Sequence, residues 1–517
     1  MAAADVSAAL ITAPVPLSDW LVALPLAIPV LAGAVLVLLR QQLKQPIIVA
    51  VAALLAMLVT DIALLARVLQ QGPVVMYMGA WKPPFGIVFA ADVFGTSLAT
   101  LATFIALLAT IYSAADVTWA ERRFGFYPFL MLLMAGVTGA FLTGDIFNLY
   151  VWFEVLLISS TGLLLVGSKK PQIDGALKYG LLNLLATTLF LVATAYLYGV
   201  LGTLNMADIA LKVRAAPADT PLVTIAVLYL VAFGMKAAAF PLNFWLPASY
   251  HAPGAGVSAL FAAILTKVGI YALIKTEVLL LGPVSAHFAP VIAAVAGATM
   301  LTGALGALAQ SELRRLFGWL VINGIGSMLM GLAIGGEAGL TAGIFYALHS
   351  MVTMAALYFC GGLVEALAGT DRLTQLGGVQ KRAPLLGAVL LILSLAVAGL
   401  PPFSGFWPKV LLVKAGISAG SGGLVLVLLA SSLVTTIAMG RVYLFAVWRD
   451  APDAAAQTGA NGPRSPGASV LLPTLVLTVL VVAIGLYPMP VHELAARSAA
   501  GLLNADAYSH AVLGGAP

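Results

Sequence analysis

The stretch "LVAFGMKAAAFPLNFWLP", Leu230 to Pro247, opens as an apolar helix and then places a cation, Lys236, and a helix breaker, Pro241, near its middle. In hydrocarbon both are expensive. A proline strips one carbonyl of its donor, and no water is at hand to replace it. A charge at the bilayer centre costs roughly 2.5–3.5 kcal/mol on insertion scales. A chain that accepts both in one segment has a packed or hydrated interior there.

The rest of the sequence settles that the solvent is lipid. Of 517 residues, 62% are hydrophobic and only 9% charged, and the mean hydropathy is +1.06, far from the range of water-soluble domains. Crossing about 30 Å of hydrocarbon takes roughly 20 apolar residues. Fourteen such runs can be marked, at 21–39, 46–66, 93–112, 127–143, 146–167, 177–200, 221–246, 256–274, 288–309, 316–334, 338–364, 385–411, 422–447 and 470–489. The expected fold class is all-α, a polytopic membrane protein of about fourteen helices. The run from Leu21 to Leu39 has no basic segment before it and no small-residue cleavage site after it, so it reads as a retained helix.

The net charge of +5 and isoelectric point near 9.2 do not indicate nucleic acid, because the basic residues come in scattered pairs between apolar runs. They indicate topology. With the N-terminus outside, 15 lysines and arginines, including Arg122, Arg314, Arg441 and Arg449, fall on the cytoplasmic side, and 7, including Arg214 and Lys275, on the outer side. The positive-inside rule then places both termini outside the cell membrane. The single Cys360 forms no intrachain disulfide and no metal cluster. No nucleotide, metal or quinone motif is expected; "GAGVSALFAA" (254–263) lacks the setting and the lysine of a phosphate loop. The longest polar segment, Arg449 to Pro466, reads as a flexible cytoplasmic loop too small to hold an enzyme. The tail "VHELAARSAAGLLNA", Val491 to Ala505, reads either as a helix at the outer interface or as a frayed terminus.

The broken segment recurs. "FPLNFWLP" at 240–247 is echoed by "LPPFSGFWP" at 400–408, with Pro241 and Pro247 in the first and Pro401 and Pro402 in the second as the expected helix breaks. Paired discontinuous helices mark transporters built from structural repeats. The division that follows is 1–126 for helices one to three, 127–286 and 287–448 for two five-helix repeats, and 449–517 for a loop, helix fourteen and a short tail. An odd number of helices per unit makes the repeats inverted.

Several ionisable residues fall inside these runs, and five of them make a row of acid, base, base, imidazole and base: Glu154, Lys236, Lys267, His349 and Lys409. Burial disfavours the charge on each, and an opposite charge nearby restores it, so each is a switch governed by its neighbour. Groups so coupled titrate as a set and can pass a proton along. Bland readings stand beside this one: a structural Glu154–Lys236 pair, a Lys409 that snorkels to the interface, a core histidine at 349. Asp61 and Asp145 read as residues at helix ends or partners of backbone and headgroups, and Asn183, Asn243 and Asn323 as hydrogen-bonding between helices.

"GDIFNLYVWFEVLLISS" (144–160), "GMKAAAFPLNFWLPASYHAPGAGVSALFAAILTKVGIYAL" (234–273) and "AGLPPFSGFWPK" (398–409) together resemble the central motifs of the antiporter-like proton-translocating subunits shared by Mrp-type cation/proton antiporters and respiratory complex I. The resemblance implies fourteen helices, inverted five-helix repeats, broken helices seven and twelve, and a proton path through Glu154, Lys236, Lys267 and Lys409. Lysine at 409 and the short tail look most like the D subunit of an Mrp-type (Pha) system, which implies sister membrane subunits as partners, protons and Na+ or K+ as cargo, no cofactor, and transport rather than an enzyme's chemistry. The alternative is a proton-pumping subunit of complex I or of a membrane-bound hydrogenase. One departure is Met354, where many relatives carry a lysine five residues after the histidine; it leaves His349 and water to connect Lys267 with Lys409.

Overall fold

The computed structural model describes residues 10–12, 15–450 and 467–514. Apart from Arg449 and Asp450, the expected loop of 449–466 lies outside the described residues. Two helices, α1 (Trp20–Leu39) and α2 (Gln45–Gln71), lead into a hairpin in which β1 (Val74–Tyr77) runs antiparallel to β2 (Val88–Ala91), with Val74 opposite Ala91. Then follow α3 (Val93–Asp116), α4 (Trp119–Arg123), α5 (Phe126–Leu142), α6 (Ile146–Leu165), α7 (Lys170–Leu201) and α8 (Met206–Ala215). The first broken segment comprises α9 (Leu222–Ala237) and α10 (Trp245–Ser249), after which α11 (Ala255–Ile274) continues as a π-turn through Leu280 into α12 (Gly282–Ser285). The second half runs through α13 (Ala289–Ala309), α14 (Leu313–Ile334), α15 (Gly336–Ala368), α16 (Val379–Arg382), α17 (Pro384–Ala398), α18 (Phe406–Ser418) and α19 (Gly422–Tyr443). It closes with α20 (Ala468–Leu486), α21 (Met489–Leu503) and α22 (Ala505–Leu513).

Among the described residues, eleven helices are long and apolar enough to cross a membrane, and the three remaining expected spans hold the shorter apolar helices α5, α9 and α17. For α9 and α17 the shortness is the break itself. Ala238, at φ 61°, ends α9 in the left-handed region, and its N–H and that of Ala239 return to Met235 O (3.1 Å) and Gly234 O (2.9 Å). Gly399, at φ 83°, ends α17 the same way, with its N–H on Ala396 O (3.1 Å) and that of Leu400 on Leu395 O (3.0 Å). Each is a Schellman-type cap, which satisfies carbonyls that would otherwise face hydrocarbon. Pro241, Pro401 and Pro402 lie in the non-helical links. Pro247 does not mark a break: it is the third residue of α10, as Pro408 is of α18, in a first turn where no N–H has an intrahelical partner anyway.

The helices approach through glycines. A Cβ on Gly303 would lie 2.3 Å from the backbone N of Asn323, and one on Gly326 2.6 Å from that of Met300, so α13 and α14 touch backbone to backbone. Lipid offers no hydrophobic drive between helices, which leaves close packing and polar contacts to hold them. Asn323 accordingly donates to Met300 O (2.9 Å) across helices, and Asn243, in the link between α9 and α10, donates to Thr302 Oγ1 of α13 (3.2 Å). Asn183 departs from expectation, donating to Tyr179 O on its own helix.

The tail is ordered helix on protein rather than a frayed end. Tyr77 Oη donates to Val512 O (2.9 Å), Ser509 Oγ to Ala207 O (3.3 Å), and Arg214 pairs with Asp506 (2.5 Å). These contacts define a tail face of the bundle, which also carries the hairpin and α8. On the opposite face Arg122 donates to Ala114 O (2.7 Å), Arg314 pairs with Glu365 (2.9 Å), Arg441 binds Gln310 O and Arg449 donates to Thr374 O (3.2 Å). Gly303→Val is expected to force α13 and α14 apart at a cost of about 1–3 kcal/mol; a lowered melting temperature of the purified protein checks it, and an unchanged one would mean the seam is not tight.

Candidate functional site

The five ionisable residues lie on successive neighbouring helices. Glu154 is half-buried on α6, next to Phe153. Lys236, in the last turn of α9 before its cap, is 6% exposed, and its ammonium stands 5.3 Å from the centre of the Phe153 ring, a cation–π contact. The ion pair of the bland reading is not closed: Lys236 Nζ has no hydrogen-bond partner.

Glycine again brings the next helix in. A Cβ on Gly269 of α11 would lie 2.8 Å from Ala237 N, so the end of α9 rests on α11 two residues from Lys267. Lys267 is fully buried and donates to Ala262 O (2.7 Å) of its own helix. Next, α11 packs on α15, which carries His349. His349 Nδ1 lies 2.8 Å from Ser404 Oγ and 3.1 Å from Thr353 Oγ1. Ser404 belongs to the second break, so the imidazole is tied to the link between α17 and α18. The link fits only because residue 405 is glycine: a Cβ there would stand 2.0 Å from Ala396 O and 3.1 Å from His349 Nε2. Met354 is buried on the same helix as His349.

Lys409 does not snorkel. It is 8% exposed, and its ammonium donates to Ala398 O (2.7 Å) and Val397 O (3.3 Å), the terminal carbonyls of α17. The negative end of the helix dipole thus meets a cation in the middle of the bundle. Gly399 leaves room for it, since a Cβ there would be 2.5 Å from Lys409 Cδ.

Other polar groups sort differently. Asp145 caps α6 through Asn148 N (2.8 Å), as a helix-end reading requires. Asp61 is not at a helix end: it lies mid-α2, 1% exposed, accepting from Thr103 Oγ1 (2.6 Å) with Oδ1 unpartnered. Lys275, which the charge count places on the outer side, is fully buried there, paired with Asp92 and 4.7 Å from the centre of the Tyr508 ring. Glu277 is buried as well and is missing from the row expected on sequence. An apolar run that ends at 274 leaves both residues outside it, whereas the helix continues as a π-turn to Leu280. In the turn between α10 and α11, His251 lies between Pro247 O (3.0 Å) and Arg315 (3.2 Å); burial first and the guanidinium second pull its pKa down to about 4, so it carries no charge near neutrality. Among the described residues no group of three or more His, Cys, Asp or Glu side chains is placed to hold a metal.

A broken-helix membrane bundle with a buried row of this kind has relatives. The family described as "NADH:quinone oxidoreductase/Mrp antiporter, TM" matches residues 143–435. The D subunits of the Na(+)/H(+) antiporters of Alkalihalophilus pseudofirmus and of Bacillus subtilis are each 36% identical, over 95% of this chain and 99% of their own. Among solved structures, a chain of the Mrp complex from a Dietzia species superposes with a TM-score of 0.88 at 30% identity, covering 96% of this chain and 100% of that one. A chain of an archaeal membrane-bound sulfane sulfur reductase follows at 0.86 and 27%, over 95% and 99% of the two chains. One of Thermus thermophilus complex I, at 0.79 and 21% over 93% and 99%, shares the fold. The chain belongs to the NADH:quinone oxidoreductase/Mrp antiporter family.

Gly399→Ala combines a positive φ with a collision on Lys409 and is expected to destabilise by about 1–3 kcal/mol. Thermal unfolding checks it, and the loss is expected to be smaller when Lys409→Ala removes the colliding side chain.

Proposed function

We propose that this chain is a proton-carrying subunit of a multisubunit monovalent cation/proton antiporter, with Glu154, Lys236, Lys267, His349 and Lys409 as its relay. One observation carries the proposal: in a chain only 9% charged, these side chains sit on helices α6, α9, α11, α15 and α18, each packed against the next or joined to it by a side-chain contact. The relatives named as D subunits of Na(+)/H(+) antiporters and the Mrp complex neighbour support this reading over its rival.

In this mechanism Glu154 sets the charge on Lys236. When Glu154 draws near or ionises, Lys236 holds its proton; when it withdraws, the buried ammonium has only an aromatic face for compensation and gives the proton up toward Lys267. His349, hydrogen-bonded to Ser404 and Thr353, bridges Lys267 to Lys409 with bound water, the role left to it by Met354. The ammonium of Lys409 rests on the end of α17 until the proton leaves. Of the fourteen spans, helices four to eight and nine to thirteen form two inverted five-helix units, both termini lie outside, and the proton motive force drives protons inward while Na+ or K+ leaves. The work is transport, not covalent chemistry, and it requires sister membrane subunits.

A redox-driven pump of the complex I or hydrogenase kind is the second reading, favoured by the likeness to the sulfane sulfur reductase chain. Proteins that co-purify with the chain decide between them: small antiporter subunits for the first, redox subunits for the second.

In vesicles carrying the whole complex, Glu154→Ala and Lys236→Ala are each expected to abolish cation/proton exchange. Exchange at the unmutated rate would remove that residue from the relay. Lys236→Arg keeps the charge on a group that does not release its proton, so the complex is expected to assemble and still fail to exchange.

A further inference from the structure

Away from the row, on the tail face, one buried acid has no counter-charge. The π-turn after α11 carries Glu277, which is 2% exposed. Its Oε2 accepts from Ser285 Oγ (2.5 Å), and its Oε1 has no partner. Glu277 and Ser285 line a cavity of about 520 Å³ together with the last turn of α14, Leu332 to Ile334, and its cap Gly335. Terminal carbonyls of a helix lack intrahelical donors and form the negative end of its dipole. Arg214 also lines the cavity, but its guanidinium is held by Asp506 (2.5 Å), and Lys275, on the same turn as Glu277, is held by Asp92. The cavity therefore brings a carboxylate and a hydroxyl beside the carbonyl end of α14, in a lining otherwise apolar (Val278, Ile292, Leu340) with no imidazole or thiol. That is the donor set of a hard cation. A carboxylate buried without a cationic partner either holds a proton or holds such an ion.

We propose that Glu277, Ser285 and the carbonyl end of α14 form a binding site for one monovalent cation of sodium's size, opening on the tail face, in which the ion competes with a proton on Glu277. The inference rests on the antiporter reading for its meaning, since it gives the chain one place where cargo and proton exclude one another. Its test does not depend on transport.

Equilibrium binding of radioactive sodium to the purified whole complex is the measurement. The unmutated complex is expected to bind one more sodium per chain than Glu277→Gln, with that component weakening as pH falls. Ser285→Ala is expected to weaken it roughly tenfold, the usual loss when a charged group forfeits a hydrogen bond. Equal sodium binding by the unmutated and Glu277→Gln complexes overturns the proposal. Should Glu277→Gln fail to assemble, density maps of the unmutated complex in sodium and in N-methylglucamine decide: a feature beside Glu277 Oε1 in sodium alone supports the site, and its absence from both overturns it. Because binding is read without exchange, failure here leaves the roles of Glu154 and Lys236 standing, and their failure leaves this site standing.

Discussion

A carbonyl freed in the middle of a hydrocarbon layer must find a donor inside the protein. Both interrupted helices are answers to that constraint. Where α17 stops, the carbonyls of Val397 and Ala398 are taken by the ammonium of Lys409, supplied by the helix that resumes beyond the break. A cation and a helix end, each costly alone, compensate one another. The lysine is thus held by main-chain dipoles instead of a carboxylate, and it can lose its proton without leaving an orphaned anion behind.

The first break is built differently. Lys236 precedes its cap, lies over an aromatic ring and has no oxygen partner, while the link beyond it is fixed by Phe240 N–H on Thr299 Oγ1 and by Asn243 on Thr302. One half of the bundle therefore keeps its cation loosely and the other tightly. Between them His349 is bound to the second link through Ser404, so a change in the backbone of that link is felt at the imidazole.

Much of this is legible in the sequence because the penalties of hydrocarbon are large and leave plain marks: a long apolar run, a proline within one, a lone lysine in another. The row from Glu154 to Lys409 and both breaks can be found that way. What escapes depends on three-dimensional detail. Lys275 is only a count on the outer side, because a run of apolar residues does not show that a helix widens into a π-turn and carries its polar end inward to Asp92. Asp61 reads as a helix end, though it sits between α2 and α3 on the hydroxyl of Thr103. Pro247 reads as a breaker because its position within a first turn is invisible until the new helix is placed. The capping equivalence of Ala238 and Gly399 is hidden too, since alanine gives no hint of a left-handed backbone.

The glycine seam between α13 and α14 bears on what kind of machine this fold can be. With Gly303 and Gly326 seated on the backbone of the facing helix, and a similar seat for Gly136 of α5 on Leu156 of α6, these pairs behave as welded plates. Sliding the two helices of one pair past each other would tear its seam open. Inside each plate motion is left to side-chain torsions and to water, and elsewhere to the short unwound links, a scale suited to relaying a charge.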